Sequence, residues 1–179
     1  MPAAQTKDKT AVKPEQMKEL CLQLKEEFDY VVIDCPAGIE QGFKNAIAGA
    51  EKAIVVTTPE VSAVRDADRV IGLLEAAELR EPKLVINRLR PKMVRQGDMM
   101  NIEDIIEILA IDLLGVIPED EQIIVTTNRG ETVVQDQRSR SGEAFRNIAM
   151  RILGEPVPLM DLERDGNLFA RLRRIIGLR

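Results

Sequence analysis

The chain has no histidine, and its two cysteines, Cys21 and Cys35, lack CxxC spacing. A Ser-His-Asp set is therefore impossible, a Cys/His nucleophile has no base, and a zinc site has almost no ligands to draw on. So few thiols suit a reducing compartment rather than a disulfide framework. None of the eleven glycines is followed by lysine, so there is no GK[ST] phosphate loop, and GxGxxG and the GxSxG elbow are missing too. The only Lys-Thr pair, Lys9-Thr10, lacks the glycines that let backbone amides approach a phosphate. A net charge of −5 leaves no surplus of Lys and Arg to neutralise a nucleic-acid backbone. No apolar run approaches a membrane span, and the first residues are polar rather than signal-like.

What remains is an ordinary globular composition: 179 residues, 45% apolar and 31% charged, enough for one domain with a sizeable core. The lead-in 1–13 carries no periodicity and reads as a loop. Pro14 suits the first turn of a helix whose stripe is Met17, Leu20, Leu24 and Phe28. Strands are expected over 31–34, 53–58, 83–87 and 113–117, each a short apolar run rich in Val, Ile or Leu. Between them lie helical patterns over 41–50, after the N-cap candidate Ser62, and over 102–110 after the cap Asn101. The stretch from Arg88 to Asn101 reads as a polar loop, and 123–125 as either a short strand or a helical turn. The pattern over 144–153 places Phe145, Ile148, Ala149 and Ile152 inside, and Gly154 stops it. Strands alternating with helices are the signature of βαβ units, hence an α/β fold with a parallel sheet flanked by helices. The expected division is a domain over 1–154, an acidic, proline-bearing linker over 155–166 and an amphipathic helix over 167–179.

The stretch Val31 to Gly38, VVIDCPAG, organises the chain. An uninterrupted apolar run reads as a strand covered on both faces, and Asp34 then stands where that strand leaves the core. Ligands of open α/β sheets sit beyond the carboxyl ends of the strands. A carboxylate there can hold the water shell of a phosphate-bound Mg²⁺, and a glycine-containing turn can move when the terminal phosphate leaves. The plainer reading, a strand-end Asp capping the next turn, stays open.

The motifs taken together resemble the ParA/MinD deviant-Walker family of cell-division ATPases. VVIDCPAGIE is similar to that family's Walker B and second switch, and TTPEVSAVRDADR to the strand and helix that follow. VINRLRP, LLGVIPEDEQI and TNRGETVV match the last core segments, and NLFARLRRIIGLR the membrane-targeting helix. RPKMVRQGDMMNIEDI is most similar to the cyanobacterial and chloroplast branch. The family pattern begins with a strand and a KGGVGKT-like deviant Walker A loop, so the chain is expected to correspond to its C-terminal two-thirds.

The resemblance implies ATP and Mg²⁺ as cofactors. Asp34 would hold the Mg²⁺ shell, and Ala37 and Gly38 would form the switch that senses the γ-phosphate. Asn87 would approach the adenine, with Pro118, Glu119 and Asp120 wrapping the base. Glu60, Ser62, Asp66 and Asp68 would belong to the face shared by the homodimer and by the partners MinC and MinE. The implied function is an ATP-dependent membrane switch in septum placement. Its implied location is the inner face of the cell membrane, or the stroma for a plastid protein. Without a phosphate loop the other reading is a non-enzymatic module that binds membrane and partners only. For Asn87 a strand-end residue satisfying a loop, and for Asp66 and Asp68 a solvated acidic face, remain the plainer alternatives.

Leu168, Phe169, Leu172, Ile175 and Ile176 fall on one helical stripe, while Arg171, Arg173 and Arg174 lie outside it and no acid follows Asp165. This is the pattern of a helix that lies in the headgroup plane; a terminal helix docked on its own core stays the plainer alternative, although it needs no all-Arg polar face. A peptide of Asp165 to Arg179 is expected to be unstructured in water and to gain helical circular dichroism with anionic vesicles. Ile175→Glu should abolish that binding. Arg173→Gln with Arg174→Gln should weaken it in a salt-sensitive way, by about 1 kcal/mol per residue. An unchanged spectrum on vesicles would mean a docked element instead.

Overall fold

The computed structural model describes residues 12–162. The described residues fall into two compact units, one of 12–53 and 70–82, the other of 54–69 and 83–162.

In the first unit, α1 (Pro14–Glu27) and α2 (Gln41–Gly49) pack together. The close approach is made at Gly49, where a Cβ would meet Cys21 Sγ at 2.6 Å, and Cys21 is the buried residue of α1. Pro14 occupies the first helical turn, where its missing N–H costs nothing. Asn45 Nδ2 donates to the Val12 carbonyl at 2.8 Å, tying the lead-in to α2. The expected strand over 31–34 does not form. Its residues pair with no other described segment, and Val32 is 91% exposed. An apolar run supplies side chains for a strand, but the strand exists only when a neighbouring ladder takes up its N–H and C=O groups.

The second unit is built on a parallel sheet in the order β1 (Ile54–Thr57), β2 (Lys83–Leu89), β3 (Asp112–Pro118). Ile54 pairs with Lys83 and Thr57 with Ile86, and on the other side Lys83 pairs with Asp112 and Ile86 with Val116. Parallel pairing follows from the crossovers. α3 (Val61–Ala76) joins β1 to β2, and α4 (Pro91–Gln96) with α5 (Ile102–Leu109) joins β2 to β3. Leu84 and Ile86 of β2 and Ile105 of α5 are fully buried, each contributing about 1.5–3 kcal/mol of apolar burial. β1 differs from the expectation of a strand covered on both faces. Ile54 and Val56 are 46% and 60% exposed, while Val55 and Thr57 are buried.

Helix starts follow local chemistry. Asn101 Oδ1 accepts from Asp104 N at 2.7 Å, as expected. α3 begins one residue before Ser62, because Glu60 already supplies the first carbonyl, to Val64 N at 3.0 Å. The expected polar loop after Arg88 contains α4, set by Pro91 at its first turn and Gly97 at its C-cap with φ +77. The ambiguous 123–125 stretch lies inside α6 (Glu121–Asn128). In α7 (Arg140–Ile152) the buried residues are Ser141, Gly142, Ala144 and Ile148, whereas Phe145 and Ile152 are exposed. α7 lies on β3, and the stripe it turns inward is decided by Gly115 of that strand.

Val85, Leu114, Ile117, Ala144 and Ile148 form a core cluster with Met160 against it. A Cβ on Gly115 would overlap Ile148 Cγ1 and come within 2.9 Å of its Cδ1. Gly115→Ala is therefore expected to destabilise by about 1–3 kcal/mol in denaturant titration, and Ile148→Ala, which removes the overlapping Cγ1, to cost less in that background than in the parent.

Candidate functional site

A cavity of about 620 Å³ opens at the carboxyl ends of β2 and β3. It is built where β2 leaves the sheet. Pairing with β3 becomes irregular between Ile86 and Leu89, and Arg88 adopts a left-handed backbone with φ +59. A bulky residue held there costs of order 1–3 kcal/mol, and such conformations cluster at functional sites. The kink sends the Arg88 side chain to the cavity wall, where Arg90 joins it. Glu119 faces them from just beyond β3, its own N–H bonded to the Leu89 carbonyl at 3.0 Å. Glu119 Oε1 accepts from Arg88 Nη2 at 3.2 Å and from Arg90 Nη2 at 2.8 Å, and Oε2 accepts from Arg90 Nε.

The remaining walls come from Pro59 and Glu60 after β1 and from Met93, Met99 and Met100 around α4. Two guanidinium planes on one carboxylate, beside polarisable thioethers, make a surface suited to a flat, amine-bearing ring. The cavity volume is in the range of small-molecule sites.

The residues expected to wrap a base are divided by the structure. Glu119 lines the cavity, and Pro118 is buried at the end of β3. Asn87 Oδ1 accepts from Arg88 N at 2.9 Å, the bond of a strand-end side chain to its own turn. Asp120 is engaged elsewhere. Its Oδ1 caps α6 through Gln122 N at 2.9 Å, and its Oδ2 accepts from Ser139 Oγ at 2.7 Å and Ser141 Oγ at 2.8 Å. Ser139 in turn caps α7 through Gly142 N at 3.0 Å. One carboxylate thus ties the starts of two helices together. Nothing in the sequence around Ser139 signals this partner, which lies 19 residues away.

In the first unit, Asp34 and the turn 36–38 are exposed. The turn needs Gly38, whose φ is +96, and Pro36 packs where a Cβ on Gly42 would stand. Burial, and then the Asp34 charge, push the Cys35 thiol up, so it is a poor nucleophile. No cluster of three His, Cys, Asp or Glu able to hold a metal occurs among the described residues. Asp34 therefore fits a Mg²⁺ ion only through the ion's water shell. The second unit offers a cavity of small-molecule size, and no Gly-Lys phosphate cradle occurs among the described residues.

Glu60, which accepts from Thr58 Oγ1, stands at the cavity lip, and Ser62 lies in the first turn of α3. Asp66 and Asp68 are both exposed on α3, about 200° apart around the helix. The candidates Leu168, Phe169, Leu172, Arg173, Arg174, Ile175 and Ile176 lie outside the described residues.

Burial alone would raise the Asp120 carboxyl, but its bonds from Ser139, Gln122 and Ser141 outweigh that and hold it below the usual carboxylate range. A carboxyl depressed on folding stabilises the fold above its unfolded value of about 3.9 and loses that contribution as pH falls through its folded value. Asp120→Ala should cost about 1–3 kcal/mol near pH 7, since it leaves buried serine hydroxyls short of an acceptor. In denaturant titrations across pH, the gap between parent and variant should close on acidification below pH about 4.

Three comparisons bear on this arrangement. The ParA family, described as NUBPL iron-transfer P-loop NTPase, matches residues 9–153. The septum site-determining protein MinD of Bacillus subtilis is 56% identical over 181 residues, covering 100% of this chain and 68% of that protein. The MinC:MinD cell division complex of Aquifex aeolicus superposes with a TM-score of 0.80 at 41% identity, over 84% of this chain and 63% of that one. The Pyrococcus horikoshii MinD complexed with Mg-ADP superposes at 0.69 and 31% identity, over 78% of this chain and 56% of that one. The chain thus spans between 56% and 68% of the length of these relatives. With a parallel sheet and its helices in the same order, and with identity running along the whole chain, it belongs to the MinD group of the ParA family of P-loop NTPases.

Proposed function

We propose that this chain acts in division-site placement as a MinD-type membrane switch, with a MinC-type division inhibitor as its partner. The observation that carries the reading is the 56% identity to a septum site-determining protein along 100% of the chain. The Aquifex complex of MinC with MinD supports the partner, and the Pyrococcus complex with Mg-ADP supports a nucleotide and Mg²⁺. Response to a MinE-type regulator through the α3 face of Glu60, Ser62, Asp66 and Asp68, and homodimer formation, belong to the same proposal.

The chain's own residues take defined parts in it. Arg88, Arg90 and Glu119 offer the wall on which a base would rest, and Asp120 holds the segment after β3 in place from outside the cavity. Asp34 would order water around Mg²⁺, and the Gly38 turn can change conformation without a side-chain clash. The bound metal and phosphates would supply the charge that the switch reads.

The C-terminal stripe would bring the protein to the membrane. A Leu or Phe is worth about 1.5–3 kcal/mol when fully buried, and only part of the stripe leaves water, so one tail binds reversibly. Two tails in a dimer gain from effective concentration, which would couple nucleotide state to membrane residence.

The lack of a phosphate cradle among the described residues favours a second reading, a membrane- and partner-binding module without turnover. Calorimetry of the full chain with ATP and Mg²⁺ separates the two. Binding weaker than the micromolar range is expected, since phosphate recognition rests on backbone amides and a lysine. Micromolar affinity lost in Asp34→Ala would instead establish the nucleotide switch. Under either reading, cells depleted of the chain should misplace their septa, and normal placement would refute the role in division.

A further inference from the structure

The segment after α7 is fastened to the domain by two arginines that have no carboxylate partner among the described residues. Arg151 Nε donates to the Val157 carbonyl at 2.8 Å and Nη2 to the Pro158 carbonyl at 2.7 Å, while Nη1 reaches the Leu114 carbonyl of β3 at 2.8 Å. Arg140, at the other end of α7, donates through Nη1 to the Leu162 carbonyl at 3.4 Å and through Nη2 to the Asp161 carbonyl. Met160 packs against the core cluster, and Leu162 is 4% exposed. Residues 155–162 therefore form a strap that runs back along α7 from its C-terminal end to its N-terminal end.

We propose that Arg140 and Arg151 are positioning residues that root the amphipathic tail, so that a tail lying in an anionic lipid surface holds the Ser139–Arg140 end of α7 against that surface. The proposal rests on the membrane reading of the tail and adds which end of the second unit faces the lipid. With the strap in place, only Glu163 to Asn167 separate the domain from the stripe that begins at Leu168, a reach of at most about 17 Å when fully extended. Released back to Glu155, the same tether would reach about 45 Å.

Five amide carbonyls engaged by two planar cations fix a point of exit in a way that an acidic, proline-bearing stretch alone does not. Burial lowers the Arg151 proton affinity, which arginine tolerates without losing its charge.

The test uses the full chain with a donor dye on Gln137→Cys, an exposed position beside this end of α7, in a Cys35→Ser background. The vesicles are phosphatidylglycerol-rich and carry a headgroup acceptor. Energy transfer should be high in the parent. At equal bound fraction it should fall at least twofold in Arg140→Ala with Arg151→Ala, and in a chain with ten Gly/Ser residues inserted after Leu162. Chymotrypsin should cut after Leu159, Met160 or Leu162 at least tenfold faster in the double variant than in the parent or the insertion chain. Arg140→Ala alone, which keeps the Arg151 bond to β3, should show an intermediate change and stands in if the double variant fails to fold.

Equal transfer in the parent and the strap variants, or a parent strap cut as fast as the variant's, would overturn the proposal. A parent that fails to bind vesicles would remove the membrane reading and the lipid-facing end with it. The protease rates then show separately whether the strap itself was read correctly.

Discussion

The second unit hangs on β2, because among the described strands it is the one whose backbone is paired on both sides. Leu84 to Ile86 pair with β1 on one side and with β3 on the other, with a register shift against β3 between Leu84 and Val85, and Leu84 and Ile86 are buried completely. Burying those amides is tolerable only because both neighbours take them up. The same requirement explains where β2 stops. Once the ladder with β3 becomes irregular past Ile86, the chain turns through a left-handed Arg88 and opens the cavity at the strand ends. Site and sheet are thus one construction, with the cavity standing where the hydrogen-bond ladder gives out.

Around that frame, the charged side chains are used in two distinct ways. Arg88 and Arg90 converge on the single carboxylate of Glu119, which keeps the segment after β3 close to the end of β2, and all three line the cavity. Arg140, Arg146 and Arg151 instead donate to main-chain carbonyls, most of them in stretches outside the α-helices and strands. Asp120 does the complementary task, accepting from two serines and an amide at the starts of α6 and α7. These bonds hold the loops at the strand ends still without sealing the cavity, which a binding site at that position needs.

The MinD group assignment gives this geometry its context, and the geometry in turn redistributes roles within the family pattern. Glu119 is the member of the Pro118–Asp120 segment that faces the cavity, whereas Asp120 holds the segment from behind. Asn87 spends its carbonyl oxygen on its own turn. Within Pro118–Asp120 one carboxylate, Glu119, lines the cavity, and the next, Asp120, is bonded to the starts of α6 and α7.

Local chemistry was legible in the sequence wherever the deciding partner lies within one helical turn. The Asn101 cap, Pro14 at the start of α1, the apolar runs of β2 and β3 and the order of strands and helices all depend on neighbours a few residues away. The family was legible too, since ordered motifs survive without any knowledge of packing. Pro91 and Gly97 signalled α4 in the same local way, although the polar residues between them suggested a loop.

Only the tertiary structure decided the rest. Val31–Ile33 has the side chains of a strand but no ladder to join among the described residues, so it stays unpaired. Which stripe of α7 turns inward was decided by the lack of a side chain at Gly115, and which carboxylate braces α6 was decided by serines far along the chain. The physical reason is the same in each case. Residue type and spacing determine what a segment can do with its near neighbours, while pairing, close approach and hydrogen bonding across distance depend on which other segment arrives beside it.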